Sequence, residues 1–80
     1  MNDINKQIGA ELREIRRDSG LSRTELAMKL QLLGLDVSAD CIKHNEEGNS
    51  RMTLLYYLGL QQILKFDSKA FEEKYLLIYF

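Results

Sequence analysis

The most reactive side chains of this 80-residue chain belong to its only cysteine and its only histidine, Cys41 and His44. On a helix, their three-residue spacing places both on one face, where a thiol and an imidazole could act as nucleophile and base. We favour a simpler role for Cys41, as a small, half-buried helix residue. One cysteine and one histidine do not make the ligand set of an ordinary zinc site.

The acidic residues are arranged poorly for catalysis. Adjacent carboxylates in the pairs Glu46–Glu47 and Glu72–Glu73 diverge on a helix, so they do not form an acid–base dyad. The chain also has no glycine-rich phosphate-binding loop. The sequence therefore predicts a protein that is not an enzyme and that needs no metal ion or cofactor.

Two serines, Ser22 and Ser38, have the surroundings of helix N-caps. Each follows an apolar residue, and a second apolar residue lies five positions after the first. This is the spacing of a hydrophobic staple. These apolar pairs are Leu21 with Leu26 and Val37 with Ile42. Glu25 also completes a capping box with Ser22. Two short helices joined by a tight connection form a helix-turn-helix, in which the second helix is presented to a DNA groove.

Apolar periodicity predicts the helices around this pair. The first helix has apolar residues every three to four positions and stops at Gly20. Helix 2 ends at Gly34 and helix 3 at Gly48. The predicted core residues of the first two helices are Ile4, Ile8, Leu12, Ile15, Leu26, Ala27, Leu30 and Leu33.

The C-terminal half contains two further predicted helices. Thr53 caps helix 4, whose apolar residues extend widely around its circumference, so we expect it to be the central, most buried helix. Gly59 within it allows close helix packing. Helix 5 begins at Asp67 or Ser68 and has Ala70, Phe71 and Tyr75 on one face. We expect one all-α domain over residues 1–80, with a core of about residues 4–74 and an apolar tail at 75–80.

The tail ends in five consecutive apolar residues: Leu76, Leu77, Ile78, Tyr79 and Phe80. One arrangement continues helix 5, so that a stripe of Phe71, Tyr75, Ile78 and Tyr79 packs on the core. The other makes the tail a strand that pairs with its copy in a second subunit, and we assign these five residues to dimerisation on that basis. Both arrangements stay open, whereas full exposure of the tail is disfavoured.

Composition points to a globular protein inside the cell. The chain is 45% hydrophobic and 29% charged, which is typical of folded domains. One cysteine allows no intramolecular disulfide, which fits a reducing compartment. The first residues lack the basic and apolar regions of a secretory signal, and the apolar stretch at 54–60 is too short to span a bilayer. We expect a cytoplasmic protein.

Segments 8–16, 20–27, 37–42 and 46–48 together resemble the Cro/CI (Xre-type) helix-turn-helix regulators of phages and bacteria. The most specific piece is Gly-Leu-Ser-x-x-Glu-Leu-Ala at 20–27, and the resemblance covers roughly residues 4–71. It implies a compact, lambda-repressor-like bundle of four to five helices that binds double-stranded operator DNA as a homodimer. Helix 3, at about residues 38–47, would then lie in the major groove, with half-sites about 34 Å apart.

The resemblance assigns DNA contacts position by position. Arg23, at the start of helix 2, touches a phosphate or a base. The exposed face of helix 3, with Ser38 at its start, reads the groove, and the next loop grips phosphate. The implied contact residues are Arg23, Ser38, Ala39, Asp40, Lys43, His44, Asn49, Ser50 and Arg51. The resemblance also pairs Arg16 with Glu46 as a structural link between helices 1 and 3.

The chain departs from the family pattern in three ways. Helix 2 and its turn are about four residues longer than in the simplest pattern, which one added helical turn would accommodate. Asn45 replaces a large apolar core residue, so either its amide bonds to the backbone or the end of helix 3 is reoriented. On the reading face, Asp40 accepts a bond from cytosine but repels phosphate, or it stabilises the helix N-terminus instead.

Two functions follow from these observations. The first is a sequence-specific transcriptional regulator, such as a repressor, in which Arg23, Lys43, His44 and Arg51 are the main contacts. The second is a helix-turn-helix used to bind protein, as in an antitoxin, an anti-CRISPR-like or anti-restriction inhibitor, or a partner subunit. A formal net charge of −1 and the apolar tail favour the second, because DNA-binding domains are usually basic.

Overall fold

The helices begin and end close to the positions that the sequence predicts. The computed structural model describes residues 3–50 and 52–76. Within them are α1 (Asp3–Asp18), α2 (Arg23–Leu32), α3 (Ala39–Glu46), α4 (Leu54–Ile63) and α5 (Ser68–Phe71). A π-helical segment, Glu72–Leu76, continues α5. The described residues contain no strand. The radius of gyration is 11.7 Å, close to the ~11.6 Å expected of a compact domain of this length. The all-α prediction is confirmed for these residues.

The predicted N-caps are all present. The Ser22 hydroxyl accepts a hydrogen bond from the Glu25 backbone N–H, and the Glu25 carboxylate accepts one from the Ser22 N–H, which completes the capping box. The hydroxyls of Ser38 and Thr53 cap α3 and α4 by accepting from the backbone N–H groups of Cys41 and Tyr56, without a reciprocal bond. Asp67, rather than Ser68, caps α5.

Each of the first three helices ends at a glycine with positive φ, namely Gly20, Gly34 and Gly48. At the end of α2, the Gly34 N–H donates to Gln31 and the Leu35 N–H donates to Leu30, at 2.9 and 3.1 Å. These two bonds form a Schellman motif, which brings the residue after the glycine back over the helix. As a result Leu35 packs against the core.

The prediction that Leu33 is buried is wrong. This residue is the C-cap of α2 and is 48% exposed. The Schellman turn directs Leu35 onto the core instead, so the inward position falls two residues later than helical periodicity indicates.

The core lies between α1, α2, α3 and α4, and α5 closes one side of it. Helix α3 packs against α1 and α2, and α2 packs against α4. The most deeply buried side chains come from α2, α3, and α4 with its C-cap: Leu26, Leu30, Ile42, Leu60 and Leu64.

Two glycines let helices approach closely. A Cβ added at Gly9 of α1 would lie 2.6 Å from the carbonyl oxygen of Glu46, on α3. A Cβ at Gly59 of α4 would lie 2.7 Å from a methyl carbon of Leu30, on α2. The close packing predicted for Gly59 is therefore confirmed.

Helix α4 has the largest buried share of the described helices, four of its ten residues, as predicted, but it is not buried on all sides. Its inner face places Tyr56, Tyr57, Gly59 and Leu60 in the core. Its outer face exposes Leu54, Leu55 and Leu58. A wide apolar circumference predicts burial only if elements pack on both faces, and no element of the described chain covers the outer one.

The C-terminal segment is tied to the core as far as Tyr75. Phe71 and Tyr75 are buried, and the Tyr75 hydroxyl donates to the Glu11 carboxylate on α1 at 2.6 Å. Burial and a hydrogen bond to Glu72 raise the pKa of Tyr57 to about 12. Phe71 and Tyr75, the two described residues of the predicted stripe, are thus both part of the core. Leu77, Ile78, Tyr79 and Phe80, and the side chain of Leu76, lie outside the described residues.

In the part of the chain that the structure describes, no helix is long and apolar enough to cross a membrane.

Candidate nucleic-acid interface

Helix α3 exposes a polar face to solvent and buries the opposite face in the bundle. Ile42 and Glu46, one turn apart, point into the bundle and are buried. Asp40, Lys43 and His44 are exposed on the other side, and Ala39 is half-buried. Four predicted DNA-contact residues thus share one short helix, with their side chains placed by the two buried ones.

The buried carboxylate of Glu46 joins three helices. Its two oxygens accept hydrogen bonds from Nε and Nη2 of Arg16 on α1, at 2.7 and 3.2 Å. One of them also accepts from Nε of Arg23 on α2, at 2.9 Å. Arg16 further donates from Nη1 to the carbonyl of Leu21, in the connection that leads to α2. The ion pair that the resemblance implies between Arg16 and Glu46 is present, and it fixes α3 relative to both preceding helices.

Arg23 has a structural partner that the sequence did not reveal. The family resemblance assigns Arg23 only to DNA, yet its Nε–H donates to Glu46. The bond to Glu46 holds the guanidinium beside α3. About 30% of the Arg23 side chain is still exposed. Residue spacing along α2 gives no signal for this partner, because Glu46 lies 23 residues further along the chain.

Asn45 does not disturb α3. Its side-chain amide donates to the Cys41 carbonyl, four residues back, at 3.2 Å. Of the two alternatives for this polar replacement, backbone bonding is the one observed. Asn45 is half-buried. The backbone carbonyls of Asn45 and Glu46 pack against Gly9 of α1.

Ser38 and Cys41 form a small polar unit at the start of α3. The Ser38 hydroxyl accepts from the Cys41 N–H at 3.2 Å and donates to the Cys41 sulfur at 3.3 Å. These bonds lower the pKa of the Cys41 thiol. The expectation that Cys41 is half-buried is wrong, since it is exposed. Adjacent residues of a helix point about 100° apart, so Cys41 faces solvent although Ile42 is buried.

The loop after α3 holds the remaining predicted contacts. Asn49 and Ser50 are exposed, and the Asn49 amide donates weakly to Glu47 at 3.4 Å. Arg51 lies outside the described residues. The structure therefore brings Asn49 and Ser50 to the C-terminal end of α3, on the same connection that leads to α4.

The charges around α3 are mixed. Lys43 and His44 lie on the exposed face with Asp40, and Glu47 follows at the helix end. No group of three His, Cys, Asp or Glu side chains in residues 3–50 and 52–76 is placed to hold a metal ion. Lys43 and His44 on this face can donate hydrogen bonds to a polyanion. The carboxylate of Asp40 repels phosphates that come close to it.

No protein-family model, curated protein or solved structure matches this chain.

Proposed function

We propose that this protein is a sequence-specific DNA-binding regulator that inserts α3 into the major groove. The observation that carries the proposal is the exposed polar face of α3, held by the contacts of Glu46 with Arg16 and Arg23. A reading helix must be rigid to select base edges, because each bidentate base contact contributes only ~1–3 kcal/mol of discrimination. The Glu46 contacts supply that rigidity from two other helices.

The connection between α2 and α3 supports the same proposal. It starts with the Schellman turn at Gly34 and ends with the Ser38 N-cap. The Gln31 side chain also bridges it, by donating to the Val37 carbonyl at 2.8 Å. Hydrogen bonds thus order the connection that is about four residues longer than in the simplest family pattern. An ordered connection would hold the two short helices at a fixed angle, as a helix-turn-helix requires.

Each exposed residue of α3 has a definite role in this proposal. Lys43 donates to guanine or to phosphate, and His44 donates to a base acceptor. Ala39 contacts a thymine methyl group, and Asp40 accepts from the cytosine amino group. Arg23, oriented by Glu46, reaches the phosphate backbone beside α2, while Asn49, Ser50 and Arg51 contact phosphate at the other end of α3.

Selection of bound sequences from random duplex DNA tests this proposal. The wild-type protein is expected to enrich one motif and to bind random DNA weakly, with a steep dependence on salt. Lys43→Ala and His44→Ala should each weaken binding to the selected site about 5- to 100-fold. Lys65→Ala is the matched control, because it removes an exposed lysine far along the chain from α3.

Two results would overturn the proposal. One is unchanged binding to the selected site in both Lys43→Ala and His44→Ala. The other is no detectable binding to random duplex DNA even at low salt, which would leave the protein-binding use of this fold as the better explanation.

A further inference from the structure

The large exposed apolar side chains of the described chain belong to two helices that pack against each other, α2 with its C-cap and α4. They lie on the second half of α2 and the outer face of α4: Met28, Leu32, Leu33, Leu54, Leu55 and Leu58. Leu32 is 87% exposed, and Leu54 and Leu55 are about 70% exposed. We call these six residues the leucine surface.

The central part of the leucine surface is continuous. A groove between the two helices is lined by Leu33 and Leu35 on one wall and by Leu55, Leu58 and Gln62 on the other. A neighbouring depression extends it to Leu32. Helical spacing of four residues adds Met28 beside Leu32 and Leu54 beside Leu58.

The leucine surface carries almost no charge. Helix α4 contains no charged residue from Leu54 to Ile63, and Lys29 is the charged residue that lines the depression. A partner surface that bears many charges would lose their hydration here without gaining an ion pair. An identical surface, where Lys29 is the charge that lines the depression, meets it with much less such loss.

The size of the surface fits one side of a dimer interface. Together the six exposed fractions equal nearly four fully exposed side chains, which amounts to about 500 Å² of apolar area. A standard interface buries about 800 Å² on each partner, of which roughly 65% is apolar in homodimers. The apolar share of such an interface is therefore about 520 Å², which is comparable with the exposed apolar area of the leucine surface.

We propose that the leucine surface binds the same surface of a second copy of this chain, in a two-fold symmetric dimer. The groove between α2 and α4 of one protomer receives Leu55 and Leu58 of its partner, and the reverse contact follows by symmetry. This inference differs from dimerisation through residues 76–80, and it does not depend on DNA binding.

Sedimentation equilibrium without DNA tests the inference. The wild-type protein is expected at twice the chain mass of 9.3 kDa. The double variant Leu55→Lys/Leu58→Lys places four lysines in the interface and should raise the dimer dissociation constant at least 30-fold, the effect of losing about one hot spot. Both leucines are exposed in the protomer, so its helical circular dichroism should persist. Leu55→Ser checks that lost apolar area, without added charge, also weakens the dimer.

The matched control is Gln7→Lys/Ala10→Lys, which adds the same charge at exposed positions of α1. It should leave the dimer intact. A second control ends the chain after Leu76 and should also stay dimeric.

Four outcomes would overturn the inference: a monomeric wild-type protein at about 100 µM, assembly beyond a dimer, an unchanged dimer in Leu55→Lys/Leu58→Lys, or loss of the dimer on removal of residues 77–80 alone. None of these measurements involves DNA. Binding of the monomeric variant to random duplex DNA at low salt tests the proposed function separately.

Discussion

Arg16 and Glu46, thirty residues apart in the chain, form a buried two-point ion pair, in which Nε and Nη2 of the arginine donate to both carboxylate oxygens. Each side chain is less than a tenth exposed. Removal of either partner leaves the other charge buried without compensation, which costs several kcal/mol. The same carboxylate also binds Arg23, so the orientation of α3 depends on a single acidic residue.

Replacement of that acid should therefore destabilise the fold. Glu46→Gln leaves the Arg16 guanidinium buried without its counter-charge and should lower the free energy of unfolding by about 3–5 kcal/mol. Urea unfolding followed by circular dichroism measures this. Glu47→Gln, an exposed neighbour, should change it by less than about 0.5 kcal/mol. A loss below 1 kcal/mol in Glu46→Gln would contradict the importance given to this pair.

Alanine should be tolerated differently at the two glycines inside helices. In Gly9→Ala the new methyl meets the backbone of Glu46, which has no freedom to move aside, so we expect a loss of about 3 kcal/mol. In Gly59→Ala the methyl meets a flexible side-chain carbon of Leu30. There a gain of ~1 kcal/mol in helix propensity offsets much of the strain. Thermal unfolding should rank wild type and Gly59→Ala well above Gly9→Ala, and the reverse order of the two variants would refute the close contact of α1 with α3.

The contact of the C-terminal segment with α1 should be sensitive to acid. The Tyr75 hydroxyl, and then the Lys74 ammonium, hold the pKa of the Glu11 carboxyl below its ordinary value of 4.5. A lowered folded-state pKa stabilises the fold above the unfolded pKa, and this stabilisation is lost as the pH falls through the folded value. Glu11→Gln should cost about 1 kcal/mol at pH 7.

The difference between wild type and Glu11→Gln should shrink as the pH is lowered below 4.5, since the wild-type carboxyl then becomes neutral too. Urea titrations at pH 7 and pH 3 provide the two values. Glu14→Gln on the same helix, where the carboxylate is exposed, is the control and should show no comparable change. A Glu11→Gln effect that is equal at both pH values would mean that the contribution of Glu11 is not electrostatic.

Removal of the acid on the exposed face of α3 should strengthen DNA binding under the proposed function. Asp40→Asn abolishes repulsion of phosphates and should raise affinity for random duplex DNA about fivefold at low salt, since a charge pair at ~4 Å in water contributes ~1 kcal/mol. Screening should reduce the gain as salt is added. Fluorescence anisotropy with a labelled duplex measures it, and Glu73→Gln, an exposed acid of the C-terminal segment, is the control.

Asp40 also lies in the first turn of α3, where a negative charge favours the helix. If that is its whole role, Asp40→Asn lowers thermal stability slightly and leaves DNA affinity unchanged. Anisotropy and thermal unfolding of the same variant therefore separate the two roles.

The sequence by itself determined where helices begin and end. Ser22, Ser38 and Thr53 cap helices, and Gly20, Gly34 and Gly48 end them, because the unsatisfied N–H and C=O groups at helix ends bond to side chains and turns within a few residues. These interactions are local, so residue type and spacing reveal them. The pairing of Arg16 with Glu46 came from the resemblance of the chain to a known pattern, and not from any local rule.

Only the tertiary structure decided which apolar residues are covered. Leu33 and Leu35 are the same residue type in one turn, and the direction of the Schellman motif turns the second inward. The outer leucines of α4 are as apolar as its inner residues, yet nothing in the described chain packs on them. The pairing of Arg23 with Glu46 likewise depends on the packing of α1, α2 and α3 around one carboxylate. Burial depends on which surfaces approach one another, and that is a property of the assembled bundle that residue type and spacing along one helix do not encode.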